Sequence, residues 1–182
     1  NNTAIVTTIN TYVAKVNSVT KATSNDDRYV TLAPVYSTSM NDLVKTFDTE
    51  DFEAKDLVTF TMAYNTDTLK YDIQSVKALE KSATGSLTKY AGTNIDNAGA
   101  YFIVGSEKYE YATKAKVAGS SSDADTVSAV FKIENDLDVY LDQYGYAIYV
   151  DGVETVKEYA VVIATGLVNQ YGTGANGATL LF

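Results

Sequence analysis

The chain has 182 residues, with 23 Asp+Glu against 14 Lys+Arg, a net charge of −9, no His, no Cys, no Trp, one Pro and 15 Tyr. Without His or Cys it can build no Ser-His-Asp triad, no thiolate or imidazole zinc site and no disulfide framework. A single Arg, Arg28, in so acidic a chain argues against nucleic acid as a partner.

In chain order, Thr3 to Val16 is dense in β-branched residues and reads as one long, two-sided strand. Residues 17–27 are polar and read as a loop. Tyr29 to Val35 is a second strand, stopped near Pro34, which cannot donate to a central ladder. Ser39 to Phe47 is the best helix candidate, with Ser39 as cap and Leu43, Val44 and Phe47 at helical spacing. After the acidic run 48–53, Leu57 to Tyr64 alternates cleanly, with Val58, Phe60, Met62 and Tyr64 on its more apolar face. Leu69 to Leu79 reads as a further strand, although its end, Val76 to Lys81, could equally be one helical turn, and Ser86 to Tyr90 is a short strand after Gly85. Tyr101 to Val104 and Lys108 to Ala112 flank Gly105-Ser106, a pair suited to a hairpin because Gly accepts positive φ.

Residues 118–125 (AGSSSDAD) read as a linker. Val127 to Ile133 follows as a strand. Leu137 to Leu141 and Tyr146 to Val150 form the clearest hairpin, joined through Asp142-Gln143-Tyr144-Gly145, with Asp opening the turn and Gly closing it. Asp151-Gly152 is a second turn signal. Glu158 to Val168 reads as a buried strand, and Tyr171 to Gly177 as a glycine-rich loop before ATLLF.

These elements predict an all-β protein with minor helix: a small β-barrel of OB or SH3-like type, plus a second β-sheet or sandwich-like module. The expected division is residues 1–55 pairing with the C-terminal module, a barrel over 56–117, a linker over 118–126 and a hairpin-rich module over 127–182. There is no run of about 18 apolar residues, so no membrane span is expected. Both chain ends read as internal to a longer protein.

The candidate chemistry is sparse. Gly172 to Gly177 spells G-x-G-x-x-G, but no helix pattern follows, so a loop is the simpler reading. Asp123, Asp125, Asp136 and Asp138 are the weak calcium candidates, without the EF-hand spacing. No cofactor is otherwise expected. No carboxylate pair stands out for glycoside hydrolysis, and an enzyme is not expected. Tyr140, Tyr144, Tyr146 and Tyr149 could form an aromatic interaction surface, although cross-strand packing also accounts for them.

Several segments resemble one family. VYLDQYGYAIYVDGVE (139–154), FDTEDFEAKDLVTFT (47–61), ATGSLTKY (83–90) and INTYVAKVNSVT (9–20) are similar to strand and hairpin patterns of the β-rich extracellular regions of surface proteins that carry S-layer homology domains, from Gram-positive anaerobes. The matching motifs mark turns and strand faces, so no functional residue carries over. The resemblance implies a non-catalytic structural segment at the bacterial cell surface. Its expected partners are neighbouring modules of the same protein, other copies of itself, or cell-wall or host glycans. An adhesin-like module binding glycan or protein is the alternative.

Overall fold

The computed structural model describes residues 9–36, 40–92, 94–120, 126–153, 161–170 and 173–181. Its first six strands are β1 (Tyr12–Thr20), β2 (Tyr29–Pro34), β3 (Leu43–Val44), β4 (Thr46–Asp48), β5 (Leu57–Asn65) and β6 (Lys70–Ala78). The next five are β7 (Ala83–Ala91), β8 (Tyr101–Val104), β9 (Glu107–Val117), β10 (Asp136–Leu141) and β11 (Ala147–Gly152), with one helical turn, α1 (Val127–Val130), before β10. β12 (Val161–Gln170) and β13 (Thr173–Leu181) form a separate antiparallel hairpin. The protein is all-β, as its alternating strands and turn signals predict.

The two main sheets share one connectivity. β7 to β11 form a closed barrel in the order β10-β11-β9-β8-β7, with β7 pairing back to β10. β1 to β6 form a six-stranded sheet in the order β3-β6-β5-β1-β2-β4. Its two edge strands are consecutive in the chain, separated by Lys45 alone, whose carbonyl accepts from Leu32 N at 2.8 Å. Counted as one bent strand, β3 and β4 bring this sheet round on itself. In both barrels the strands then run first, second, third, fifth, fourth and back to first. The third and fifth are parallel in each, β3 with β6 and β9 with β11. That is the connectivity of an OB-type barrel.

Each interior is filled by its own side chains. Ala14, Val16, Val30, Leu32, Val58 and Phe60 pack inside the first barrel. Leu87, Phe102, Val104, Leu137, Val139 and Val150 fill the second. There the Phe102 ring meets those of Tyr109 and Tyr111 at 5.5 and 5.1 Å. The pleat explains the selection: successive strand residues face opposite sides, so alternate apolar positions enter the core.

The expected division differs from these pairings. β5 and β6 pair with β1 and β3, not with β7 to β9, so no barrel spans 56–117. Residues 118–126 do not separate modules either. β9 before them and β10 and β11 after them belong to one barrel, and Thr126 is buried. Ser121 to Asp125 lie outside the described residues. The true junction is residues 79–82, an unremarkable stretch tied at both ends: Leu79 N donates to Leu57 O at 3.0 Å, and Ser82 N to Val139 O at 2.9 Å.

Local expectations also shift. The helix expected over Ser39–Phe47 does not form over residues 40–47. Residues 37–39 lie outside the described residues, and Leu43 to Phe47 form β3 and β4. Leu43 and Phe47 both turn inward, but across a bent strand rather than down a helix face. Val127 to Ile133, expected as a strand, begins with α1. Its Val127 is fully buried, and Phe131 N donates to Val127 O at 2.8 Å. Asp151 and Gly152 sit in β11 opposite Asp138 and Leu137, not in a turn. Thr173 to Gly177 lie in β13 and not in a loop, while Gly172 is outside the described residues.

The hairpin of β12 and β13 has the arrangement that opens each barrel. The first strand in all three cases shifts register against its partner, at Val16/Ser18, Leu87/Lys89 and Val162/Ala164.

Candidate functional site

The region where chemistry and architecture converge is the joint between the barrels. Val13, Leu79, Ile148 and Tyr149 form a buried apolar cluster there, flanked by Val35, Leu57, Ala112 and Tyr140. Strand faces explain who contributes. On β1, Ala14 and Val16 enter the first barrel while Val13, one residue along, faces out into the joint. On β11, Ala147 and Val150 enter the second barrel while Ile148 and Tyr149 enter the joint. β9 bulges opposite Ile148, with Lys114 at φ +74°.

Tyr36 fastens this joint. Its hydroxyl accepts from Val13 N at 2.9 Å and donates to Lys114 O at 2.8 Å, so one side chain bridges β1 and the β9 bulge. Its ring meets Tyr12 edge-on at 5.6 Å. Sequence reasoning missed Tyr36, which follows Pro34-Val35 just past a strand end. The one available signal was an aromatic with a polar tip placed where a strand exits, a position suited to spanning two surfaces.

The four tyrosines singled out from the sequence separate. Tyr149 is buried in the joint, and its ring meets that of Tyr140 across β10 and β11 at 5.6 Å. Burial pushes the Tyr149 hydroxyl well above the usual tyrosine range, and the neighbouring Asp151 carboxylate adds to the shift. Tyr140 moves the same way, again chiefly by burial. Tyr144 and Tyr146 instead stand exposed, at 75% and 45%. Their turn has the expected form. Asp142 Oδ1 accepts from Tyr144 N at 2.8 Å and Tyr146 N at 2.9 Å, and Gly145 sits at φ +85°.

Beside this turn lies a groove of about 330 Å³ between the two barrels. Thr59, Thr61, Ser75 and Lys77 of the first barrel form one side, and Asp142, Gln143 and Tyr144 of the second form the other. The Thr61 and Ser75 hydroxyls share a hydrogen bond of 2.7 Å.

Of the four calcium candidates, Asp136 and Asp138 are among the described residues. Asp138 accepts from Thr84 Oγ1 and pairs with Lys81 Nζ at 3.3 Å, so its charge is already engaged within the protein. Asp136 is exposed on the same strand, and Asp123 and Asp125 lie outside the described residues. Among the described residues no three Asp or Glu side chains converge as a metal site would require. No helix among them is long and apolar enough to cross a membrane.

No protein-family model and no curated protein matches the chain. Among solved structures, one titled "drosophila Unr CSD456" is 14% identical, with 90% of this chain and 69% of that chain covered and a TM-score of 0.26. A score that low carries no argument about fold or function.

Proposed function

We propose that this chain is a rigid, non-catalytic spacer: a run of tandem barrels in a bacterial cell-surface protein of the kind that carries S-layer homology domains. The observation that carries the reading is the joint. A buried cluster of Val13, Leu79, Ile148 and Tyr149, bridged by Tyr36, couples two barrels that are linked by only residues 79–82. Burial of apolar side chains and a short tied linker both oppose hinge motion, which is what a projecting spacer requires. The third occurrence of the opening hairpin, at β12 and β13, supports an array of like units. The acidic surface and the segments similar to S-layer homology proteins support placement outside the cell.

Residual dipolar couplings from β1 to β6 and from β7 to β11 are expected to fit one alignment frame. Two independent frames would overturn the rigid spacer. Antibodies against this segment are expected to label intact source cells, and labelling only after lysis would remove the surface placement.

A further inference from the structure

We propose that the groove between the β10–β11 turn and the outer face of β5 and β6 binds a neutral oligosaccharide. The proposal goes beyond the spacer reading and does not depend on it. Its volume, about 330 Å³, sits at the lower end of the range of about 300–1,000 Å³ typical of small-molecule sites.

The lining suits a sugar ring on both counts that matter. A pyranose offers a rim of hydroxyls and a face of C–H groups. Thr11, Thr61 and Ser75 supply hydroxyls, Thr59 supplies a hydroxyl whose proton already goes to Lys77 O at 3.5 Å and whose lone pairs can accept, and Gln143 supplies an amide that donates and accepts. After the Thr61–Ser75 hydrogen bond, that pair still holds one donor proton and several lone pairs for a ligand. Tyr144, one of the lining residues and 75% exposed, supplies an aromatic side chain at the groove mouth that a sugar face can stack on.

Charge narrows the ligand to neutral sugars. The groove carries one cation, Lys77, and one anion, Asp142, whose Oδ1 is occupied by two backbone N–H groups. No cluster of cations exists there to hold a sulfated or carboxylated sugar. The site is also pre-organised. The Asp142 bonds and the left-handed Gly145 lock the turn, so less conformational entropy is lost when Tyr144 stacks.

The test is a ¹⁵N-HSQC titration of the 182-residue chain with cellotetraose, chitotetraose, maltotetraose and mannotetraose at millimolar concentration. At least one is expected to give saturable shifts centred on residues 59–61, 75–77 and 142–146. Tyr144→Ala should weaken that binding about tenfold while Tyr144→Phe stays within about twofold, because the ring face and not the hydroxyl does the stacking. Gln143→Ala, a second turn position outside both barrel cores, should also weaken it. The absence of groove shifts with all four sugars would overturn the proposal. So would wild-type affinity in Tyr144→Ala, or tighter binding of a heparin tetrasaccharide than of any neutral one. The spacer reading stands or falls separately, on dipolar couplings measured without ligand.

Discussion

The two barrels reach one connectivity by different local means. The second has a continuous third strand, β9, and α1 closes its base with the fully buried Val127. The first has a third strand broken at Lys45 and no helix between β4 and β5. There, residues 49–53 are held by the chain's single arginine. Arg28 donates to the carbonyls of Thr49 and Asp51 at 2.7 Å each and of Phe52 at 2.5 Å. Phe52, at φ +70°, packs onto the same core that Leu43 and Phe60 build. An arginine clamp with an aromatic thus stands where the other barrel has a helical turn with a valine. The difference teaches that apolar filling of the interior carries the barrel, while the device that closes its base is interchangeable.

Core truncations test that claim with the largest expected effects. Phe102→Ala should cost about 3–5 kcal/mol and loosen β7 to β11 before β1 to β6 in hydrogen exchange. Phe60→Ala should cost as much and reverse the order. Simultaneous loss of protection in both barrels with either variant would mean that they fold as one unit.

The clamp comes next. Arg28→Met should cost about 3 kcal/mol, chiefly because it leaves the partly buried carbonyls of Thr49 and Phe52 without their donors. Protection should fall in β2, β4 and the 49–56 loop alone. The Arg28–Glu53 pair contributes little of this, since Glu53 is 81% exposed.

Smaller effects probe the joint and the turn. Tyr149 has a raised hydroxyl pKa because of burial and then Asp151, so the folded state favours its neutral form. Its contribution is fully present below pH 10, the unperturbed value, and is lost as pH rises toward the folded value. Chemical denaturation above pH 10 should show falling stability, and Tyr149→Phe should lessen that fall. Tyr111, half-buried against the second barrel's core, moves the same way, so Tyr111→Phe separates barrel from joint. Asp142→Ala should cost about 1 kcal/mol by removing the acceptor for two backbone N–H groups. Its expected signature is faster exchange at residues 143–146 with both barrels otherwise intact.

Much of the local structure was legible in the residues. The alternation of Leu57 to Tyr64 places Val58 and Phe60 inward, as found. The Asp142–Gly145 turn follows from an acceptor at its first position and a residue free to adopt positive φ at its last. Barrel membership was not legible, because closure pairs strands far apart in the chain. β1 meets β5, and β7 meets β10, across intervening strands whose composition does not encode the partner. Ser- and Gly-rich residues 118–126 read as a boundary by composition, yet the strands on either side of them, β9 and β10, belong to one barrel. Residues 79–82 hid the real boundary because their backbone is bonded to both barrels.

The residue string alone settles which chemistries are excluded for want of His and Cys, the Asp142–Gly145 turn, and the inward positions of strands such as Leu57 to Tyr64 at Val58 and Phe60. Those follow from side-chain identity and from the two-residue period of a strand. It does not settle why Val13, Ile148 and Tyr149 are buried on the outer faces of their barrels. That depends on a second barrel arriving there, and on Tyr36 reaching across to Lys114. The same arrangement divides the tyrosines, placing Tyr149 in the joint and leaving Tyr144 at the mouth of a groove that neither barrel forms alone.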